Sequence, residues 1–304
     1  MSDLANPTAK ASTPPVAEPP RQVFGIGTVI ANVFAIFVKR YPKVMFLSLP
    51  GTVLMGLVFY AGIIWVDDVG QGVFSGLPRW LVNPFTIFSV GIGCALGLSA
   101  GPLASAYDSY QRRGTVPVGH SLARVLARPA VALALGILVA AAVILPLTTL
   151  IWAATPRIGL VIFCAALLVG MYALGLWGLA LPAIPMERIG FRGLKRSFRL
   201  SQGYRWPIAC TCFVLFFAAL LIGGLIGAGL IMLCRLILLD WLELSGFGFF
   251  GPNSDLFEIL LFLDFCFAYA NIVVLMMLGL AAIRARMVEI KEPPDIGDMV
   301  DVFD

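Results

Sequence analysis

The sequence predicts an all-α fold, a polytopic membrane protein with six transmembrane helices and cytoplasmic interfacial amphipathic helices. Hydrophobic residues make up 60% of its 304 residues and charged residues only 12%, whereas soluble domains carry about 25% charged residues. Lysine and arginine fall almost entirely on alternate connections between the apolar stretches. Because so few charged side chains cannot cover a water-facing surface of ordinary polarity, we expect lipid to surround most of the chain.

Six apolar stretches, almost free of charge, are the predicted spans. The hydrocarbon core of a bilayer is about 30 Å thick, and a helix needs about 20 residues to cross it. Five stretches reach that length, and the sixth reaches it when it is extended past Asp264. Only helices satisfy their backbone groups within one segment, so we expect helical spans. The stretches are Val44–Val66, Trp80–Tyr107, Pro129–Pro156, Ile158–Met186, Trp206–Cys234 and Phe265–Ile283.

The distribution of cations predicts the orientation of these spans. With six spans, 18 lysines and arginines fall on the side that holds both termini, and three, Arg79, Arg157 and Arg235, fall on the other side. Since cytoplasmic connections carry the excess of lysine and arginine, we expect both termini in the cytoplasm of a bacterial cell and the spans in its inner membrane. No soluble basic module is present, which argues against nucleic-acid binding.

Three regions follow from this layout. Residues 1–22 are rich in alanine, proline, serine and threonine and have no apolar core, so we expect a disordered cytoplasmic tail and no cleavable leader. Residues 23–291 form the predicted six-helix transmembrane domain. Residues 292–304 form an acidic cytoplasmic tail that either stays solvated or docks on the basic face or a partner.

A threefold repeat is a further hypothesis. Each unit would contain a short cationic amphipathic segment, a proline near the entry to the bilayer and two spans, with the prolines at Pro42, Pro129 and Pro207. The amphipathic segments would lie in the headgroup layer, with apolar side chains toward the lipid and cations toward phosphate. The alternative is that they are merely helical connectors that follow the general charge bias.

The third amphipathic segment carries the densest positive charge. Phe191, Leu194 and Phe198 lie toward one side of a helix, and the cations take the rest. We interpret it as a surface helix that holds anionic headgroups. The candidate headgroup-binding residues are Arg192, Lys195, Arg196, Ser197 and Arg199.

Polar residues in the last span form a second candidate site. Asp264 and Asn271 are seven residues apart and share one helix face, and Arg235, at the end of the preceding span, could reach Asp264 by snorkelling. One interpretation is a polar site or relay between spans five and six. The other, which we favour, is a structural pair at the outer rim, where a carboxylate costs less than at the bilayer centre.

The residue types needed for catalysis are scarce. The chain has one histidine, His120, in a predicted cytoplasmic segment, and its cysteines show no zinc or redox spacing. The G-x-S-x-G match at Gly97–Gly101 lies inside a span, where Gly93, Gly97 and Gly101 are better explained as a small-residue ridge for close helix packing. We therefore expect no metal, no cofactor and no enzymatic activity.

The connection between predicted spans four and five carries a recurring pattern of small, basic and apolar residues. Its members are Glu187, Gly190, Leu194, Arg196, Ser197, Leu200 and Gly203. This segment resembles one in the membrane domain of bacterial glycerophosphoryl diester phosphodiesterases and their uncharacterised six-helix relatives. The resemblance implies a six-helix membrane module, but the diesterase activity is not expected to carry over, because the soluble catalytic barrel has no counterpart here. As a basic surface helix, the segment would contact phosphate through Arg196 and Arg199 while Ser197 supplies a hydroxyl.

These observations predict a non-enzymatic integral inner-membrane protein that binds anionic lipid or serves as a scaffold. Its expected partners are membrane lipids, together with a protein partner or further copies of the chain. The alternative is a transporter or a flippase-like carrier of a lipid or apolar solute. The distinguishing feature of a carrier would be a central polar cavity reached by Asp264 and Asn271.

Overall fold

Helices make up most of the computed structural model, which describes residues 23–70, 84–126, 131–134, 136–140, 159–187, 192–234 and 255–292. No strand occurs within these ranges, so the predicted all-helical class is confirmed for them. The predicted tails lie outside the described residues, apart from Glu292. The helices are α1 (Ile26–Lys39), α2 (Tyr41–Gly70), α3 (Pro84–Arg113), α4 (Val118–Leu126), α5 (Gly159–Trp177), α6 (Ala180–Glu187), α7 (Arg192–Ser201), α8 (Arg205–Cys234) and α9 (Asp255–Lys291).

Four segments of these helices are long and apolar enough to cross a membrane. They correspond to predicted spans one, two, five and six, and their presence supports the expected multi-pass membrane protein. Predicted spans three and four fall on ranges that are only partly described, namely the helical residues 131–134 and 136–140, and α5 with α6. The four segments are Tyr41–Ala61, Ser89–Arg113, Arg205–Gly229 and Asp264–Lys291.

The four segments differ in how much of their surface other helices cover. In the most apolar 18-residue stretch of each segment, 83% is buried by the rest of the protein in Ser89–Arg113 and 72% in Asp264–Lys291. The corresponding share is 39% in each of the other two segments. Helix α3 packs on α2, α9 packs on α8, and α9 also contacts α3 and α2. Helices α3 and α9 are therefore central, while α2 and α8 expose apolar side chains such as Val53 and Leu225 on their outer faces.

Small residues allow the backbones to approach closely at two faces of α3. A Cβ atom added to Gly97 would collide with the backbone of Ala132, and one added to Gly93 would lie 2.5 Å from the Cα of Ile137. On another face, a Cβ on Gly51 of α2 would lie 2.6 Å from the carbonyl oxygen of Ala95. Gly93 and Gly97 of the predicted ridge thus form a packing surface for the helical residues 131–134 and 136–140.

The shorter helices lie at the end of the bundle that carries most of the described cations. Helix α1 packs on α9 and α8, α4 packs on α3, and α7 packs on α5, α6 and α9. The helical spacing of Ile30, Val33, Phe34 and Phe37 predicts an apolar face of α1. The structure buries Val33 and Phe37 but only partly buries the other two. The difference is a small rotation of the helix, which brings Val29 and Ile36 into the core.

Candidate functional site

Helix α7 attaches to the bundle through small and apolar side chains spaced along one face. The buried residues are Gly193, Ser197, Leu200 and Ser201, at helical spacing. Arg192, Lys195 and Arg199 are exposed on the remaining surface. A strongly cationic ten-residue helix is therefore held against the protein by one narrow stripe.

Ser197 occupies a different position from the one its sequence context predicts. Its side chain is 1% exposed, and its hydroxyl donates a hydrogen bond to the backbone carbonyl of Leu176, near the end of α5. A buried hydroxyl that already donates to the protein does not present its proton to an outside ligand. The structure therefore places Ser197 in a packing contact, and its expected role as a headgroup ligand stays a prediction.

The end of α9 completes a groove beside α7. The cavity between them has a volume of about 520 Å³, and we call it the α7–α9 groove. Leu200 and Gln202 contribute its neutral lining. Four of the predicted headgroup-binding residues line it, namely Arg192, Lys195, Arg196 and Arg199. Two charged residues that were not predicted from the sequence, Lys291 and Glu292, complete the charged lining.

Two polar contacts join α9 to α7 at this groove. The guanidinium of Arg196 donates to the carboxylate of Glu292 at 2.8 Å, and the ammonium of Lys291 donates to the carbonyl oxygen of Gln202 at 2.7 Å. The side chains of Arg196 and Glu292 are 36% and 48% exposed, so water screens their attraction and the pair contributes only about 0–1 kcal/mol to stability. The groove is consequently accessible to an anion that competes with the carboxylate.

Aromatic side chains surround the same end of the bundle. Phe198 is 46% exposed, and the guanidinium of Arg205 lies 4.6 Å from the centre of its ring. Trp206 is exposed, and its ring lies 5.7 Å from that of Tyr172. Exposed tryptophan and tyrosine rings concentrate at membrane–water interfaces. This arrangement is consistent with a groove at the depth of the lipid headgroups.

The polar residues of the last span do not meet at one site. The carboxylate of Asp264 lies against Gly227 of α8, where an added Cβ would be 3.1 Å from the nearer oxygen. Asn271 is fully buried, accepts a hydrogen bond from the hydroxyl of Tyr41 at 2.9 Å, and donates to the carbonyl of Phe267 at 2.8 Å. Arg235, the proposed partner of Asp264, lies outside the described residues.

A second cavity of about 420 Å³ lies between α1, α3 and α9. Asn32, Tyr107 and Gln111 are among its polar lining residues. Its carboxylates already have cationic partners, since Asp108 pairs with Arg112 at 3.0 Å and Glu289 pairs with Arg286 at 2.8 Å. Neither this cavity nor the α7–α9 groove is lined by Asp264 or Asn271.

The candidate metal ligands and the serine of the G-x-S-x-G match can be located within the described residues. Within the described ranges, no group of three histidine, cysteine or acidic residues could hold a metal ion. Ser99, the serine of the G-x-S-x-G match, is fully buried, and its hydroxyl lies 3.5 Å from the carbonyl oxygen of Ser48. It sits at the contact between α3 and α2, which agrees with a packing role.

Comparisons with protein-family models, with curated proteins and with solved structures find no match for this chain. The resemblance of its third amphipathic segment to the phosphodiesterase membrane domain therefore stays a prediction.

Proposed function

We propose that this chain is a non-enzymatic integral membrane protein that binds anionic phospholipid headgroups in the α7–α9 groove. The observation that carries the proposal is the charge of the groove, where five cationic side chains and one carboxylate line about 520 Å³. Basic pockets between helices near a bilayer surface are suited to anionic headgroups, and each lysine or arginine contributes about 1 kcal/mol near such a surface.

Exposed aromatic side chains support a lipid as the source of the anion. Phe198 is exposed on α7 and Trp206 is exposed at the start of α8, as expected for side chains that enter the interfacial layer. The segment that resembles the phosphodiesterase membrane domain coincides with α7, and we propose that the two share a mode of phosphate binding. A scaffold function, in which bound lipid or protein partners are organised at this surface, is compatible with the same groove.

The proposed topology has six spans, with both termini on the cytoplasmic side of a bacterial inner membrane. The support is the distribution of 18 cations on one side and three on the other. In this arrangement α1, α4 and α7 are the interfacial helices of a threefold repeat, each preceding a pair of spans. The α7–α9 groove then faces the cytoplasmic leaflet.

A carrier of a lipid or apolar solute is the second candidate. The observation that favours it is the polar cavity of about 420 Å³ between α1, α3 and α9. However, Asp264 and Asn271 were expected to line the cavity of a carrier, and neither lines this one. The lipid-binding proposal therefore has the stronger support.

Charge reversal in the groove tests the proposed function. The Arg196→Glu/Arg199→Glu variant, purified in nanodiscs that contain cardiolipin, should retain about tenfold less anionic lipid in native mass spectra, because it loses two cationic contacts and gains two repulsive ones. The matched control is Arg112→Glu/Arg113→Glu, which makes the same change in net charge at exposed positions on α3.

The control should keep the retention of the parent protein. Undiminished retention in the groove variant, with normal membrane insertion, would contradict the proposed site. An equal loss in both variants would show that net charge alone holds the lipid.

A further inference from the structure

Glu292 is the single acidic residue among the described residues that line the α7–α9 groove. Its carboxylate pairs with Arg196 at 2.8 Å. The remaining cations of the groove have no carboxylate partner within its described lining, and they are Arg192, Lys195, Arg199 and Lys291. The described lining thus places a carboxylate on one of the five cationic side chains of the groove.

The backbone at the end of α9 holds this carboxylate in place. The amide of Glu292 donates to the carbonyl of Val288 at 2.8 Å, and the neighbouring Lys291 donates to the carbonyl of Gln202 at 2.7 Å. Because both side chains of the Arg196–Glu292 pair are partly exposed, a ligand can reach Arg196 without unfolding either helix. An anion that binds the Nη2 of Arg196, the nitrogen that donates to Glu292, displaces the carboxylate.

The charge of the ligand decides the outcome of this competition. A headgroup with one negative charge that replaces the Glu292 carboxylate on Arg196 exchanges one anion for another, so its net gain in binding free energy is small. A headgroup with two negative charges also places its second charge among the cations that have no carboxylate partner in the described lining of the groove. We infer that the α7–α9 groove requires a phosphate headgroup that carries two negative charges, and that Glu292 sets this threshold.

This inference rests on the proposed lipid-binding function and names its ligand class. Two lipid chemistries meet the requirement, a phosphomonoester such as phosphatidic acid and a paired phosphodiester such as cardiolipin. Phosphatidylglycerol, with one phosphodiester charge, does not.

The test compares full-length protein in nanodiscs of a zwitterionic phospholipid doped with cardiolipin, phosphatidic acid or phosphatidylglycerol at equal total negative charge. Native mass spectra should show about fivefold more retained cardiolipin or phosphatidic acid than phosphatidylglycerol. The Glu292→Gln variant should raise retention of phosphatidylglycerol about fivefold, to the level that the parent protein shows for the doubly charged lipids.

Glu289→Gln is the matched control. It removes the same charge from the same helix, but Glu289 pairs with Arg286 and does not line the groove. Retention of phosphatidylglycerol should not change in this variant. An equal rise in both variants would assign the effect to net charge and overturn the role of Glu292.

Two further outcomes separate the inference from its premise. Equal retention of all three lipids by the parent protein would overturn the charge threshold and leave the proposed function standing, whereas retention of none would contradict the proposed function itself.

Soluble glycerol phosphate, added to protein loaded with phosphatidic acid, should leave the lipid in place. Complete release at equal concentration would assign the groove to a free phosphate and overturn the lipid as its ligand.

Discussion

The hydroxyl of Tyr41 donates a 2.9 Å hydrogen bond to the side-chain carbonyl of Asn271, which joins the start of α2 to the middle of α9 across 230 residues. Asn271 is fully buried, and its amide nitrogen donates to the carbonyl of Phe267 on the preceding turn. An amide that is satisfied by two protein partners is suited to positioning helices. We therefore interpret Asn271 as a structural residue and not as part of a transport site.

Loss of this hydrogen bond should weaken the contact between α2 and α9. We expect Tyr41→Phe to lower the free energy of unfolding in detergent by about 0.6–1.7 kcal/mol, the range for hydrogen bonds between membrane helices. Tyr60→Phe is the control, since Tyr60 is 61% exposed on the same helix. Equal stability of the two variants would show that the Tyr41–Asn271 bond contributes nothing measurable.

The Gly97 contact provides a steric prediction. Because a Cβ at this position meets the backbone of Ala132, we expect Gly97→Ala to destabilise the protein by roughly 1–3 kcal/mol. Gly224→Ala is the control, because nothing lies within 4 Å of a Cβ added on that exposed face of α8. Thermal unfolding of the two variants in the same detergent tests the difference, and a neutral Gly97→Ala would contradict the close approach.

Ser197 distinguishes packing from ligand binding. We expect Ser197→Ala to lower stability by about 1 kcal/mol, since the carbonyl of Leu176 loses its hydroxyl donor. Retention of anionic lipid should be unchanged in the same nanodisc assay, because the hydroxyl faces the protein. A drop in retention with normal stability would restore the headgroup role predicted from the sequence.

Asp264 tests the idea of a polar relay in the last span. Its Oδ1 atom has no hydrogen-bond partner among the described residues, and its carboxylate lies against Gly227. Since a carboxylate is costly in the hydrocarbon region, Asp264→Asn should keep or slightly raise thermal stability. Retained lipid and assembly should stay normal, whereas loss of a measured transport activity with normal assembly would support the relay.

For comparison, Asn271→Asp introduces a carboxylate at a fully buried position. We expect it to lower stability by about 2.5–3.5 kcal/mol, the cost of an aspartate at the centre of a membrane helix. Equal stability of the Asp264→Asn and Asn271→Asp variants would contradict the different environments of the two residues.

The candidate groove could be predicted only in part. The cations of α7 are adjacent in the sequence, and their spacing alone indicates a charged surface helix. Glu292 lies 96 residues from Arg196, and the two meet because the long helix α9 ends beside α7. The sequence indicated only that an acidic tail begins at residue 292 and that it either docks on the basic face or a partner or stays solvated. It did not indicate which cation the tail would contact.

Sequence neighbours of Ser197 do not share its helix face. Arg196 precedes it in the sequence, but a helix turns by about 100° per residue, so adjacent side chains point in different directions. Ser197 lies instead on the buried stripe of Gly193, Leu200 and Ser201, where its hydroxyl meets the carbonyl of Leu176.

Helicity and the four described membrane-length segments follow from the sequence alone, because apolar length and low charge are local properties that any lipid-embedded helix must have. The choice of partners for those helices depends on contacts between residues far apart in the chain. Gly93 and Gly97 therefore predicted a close approach without naming segment 131–140 as the partner, and the pairing of Arg196 with Glu292 emerged only once α7 and α9 were packed together.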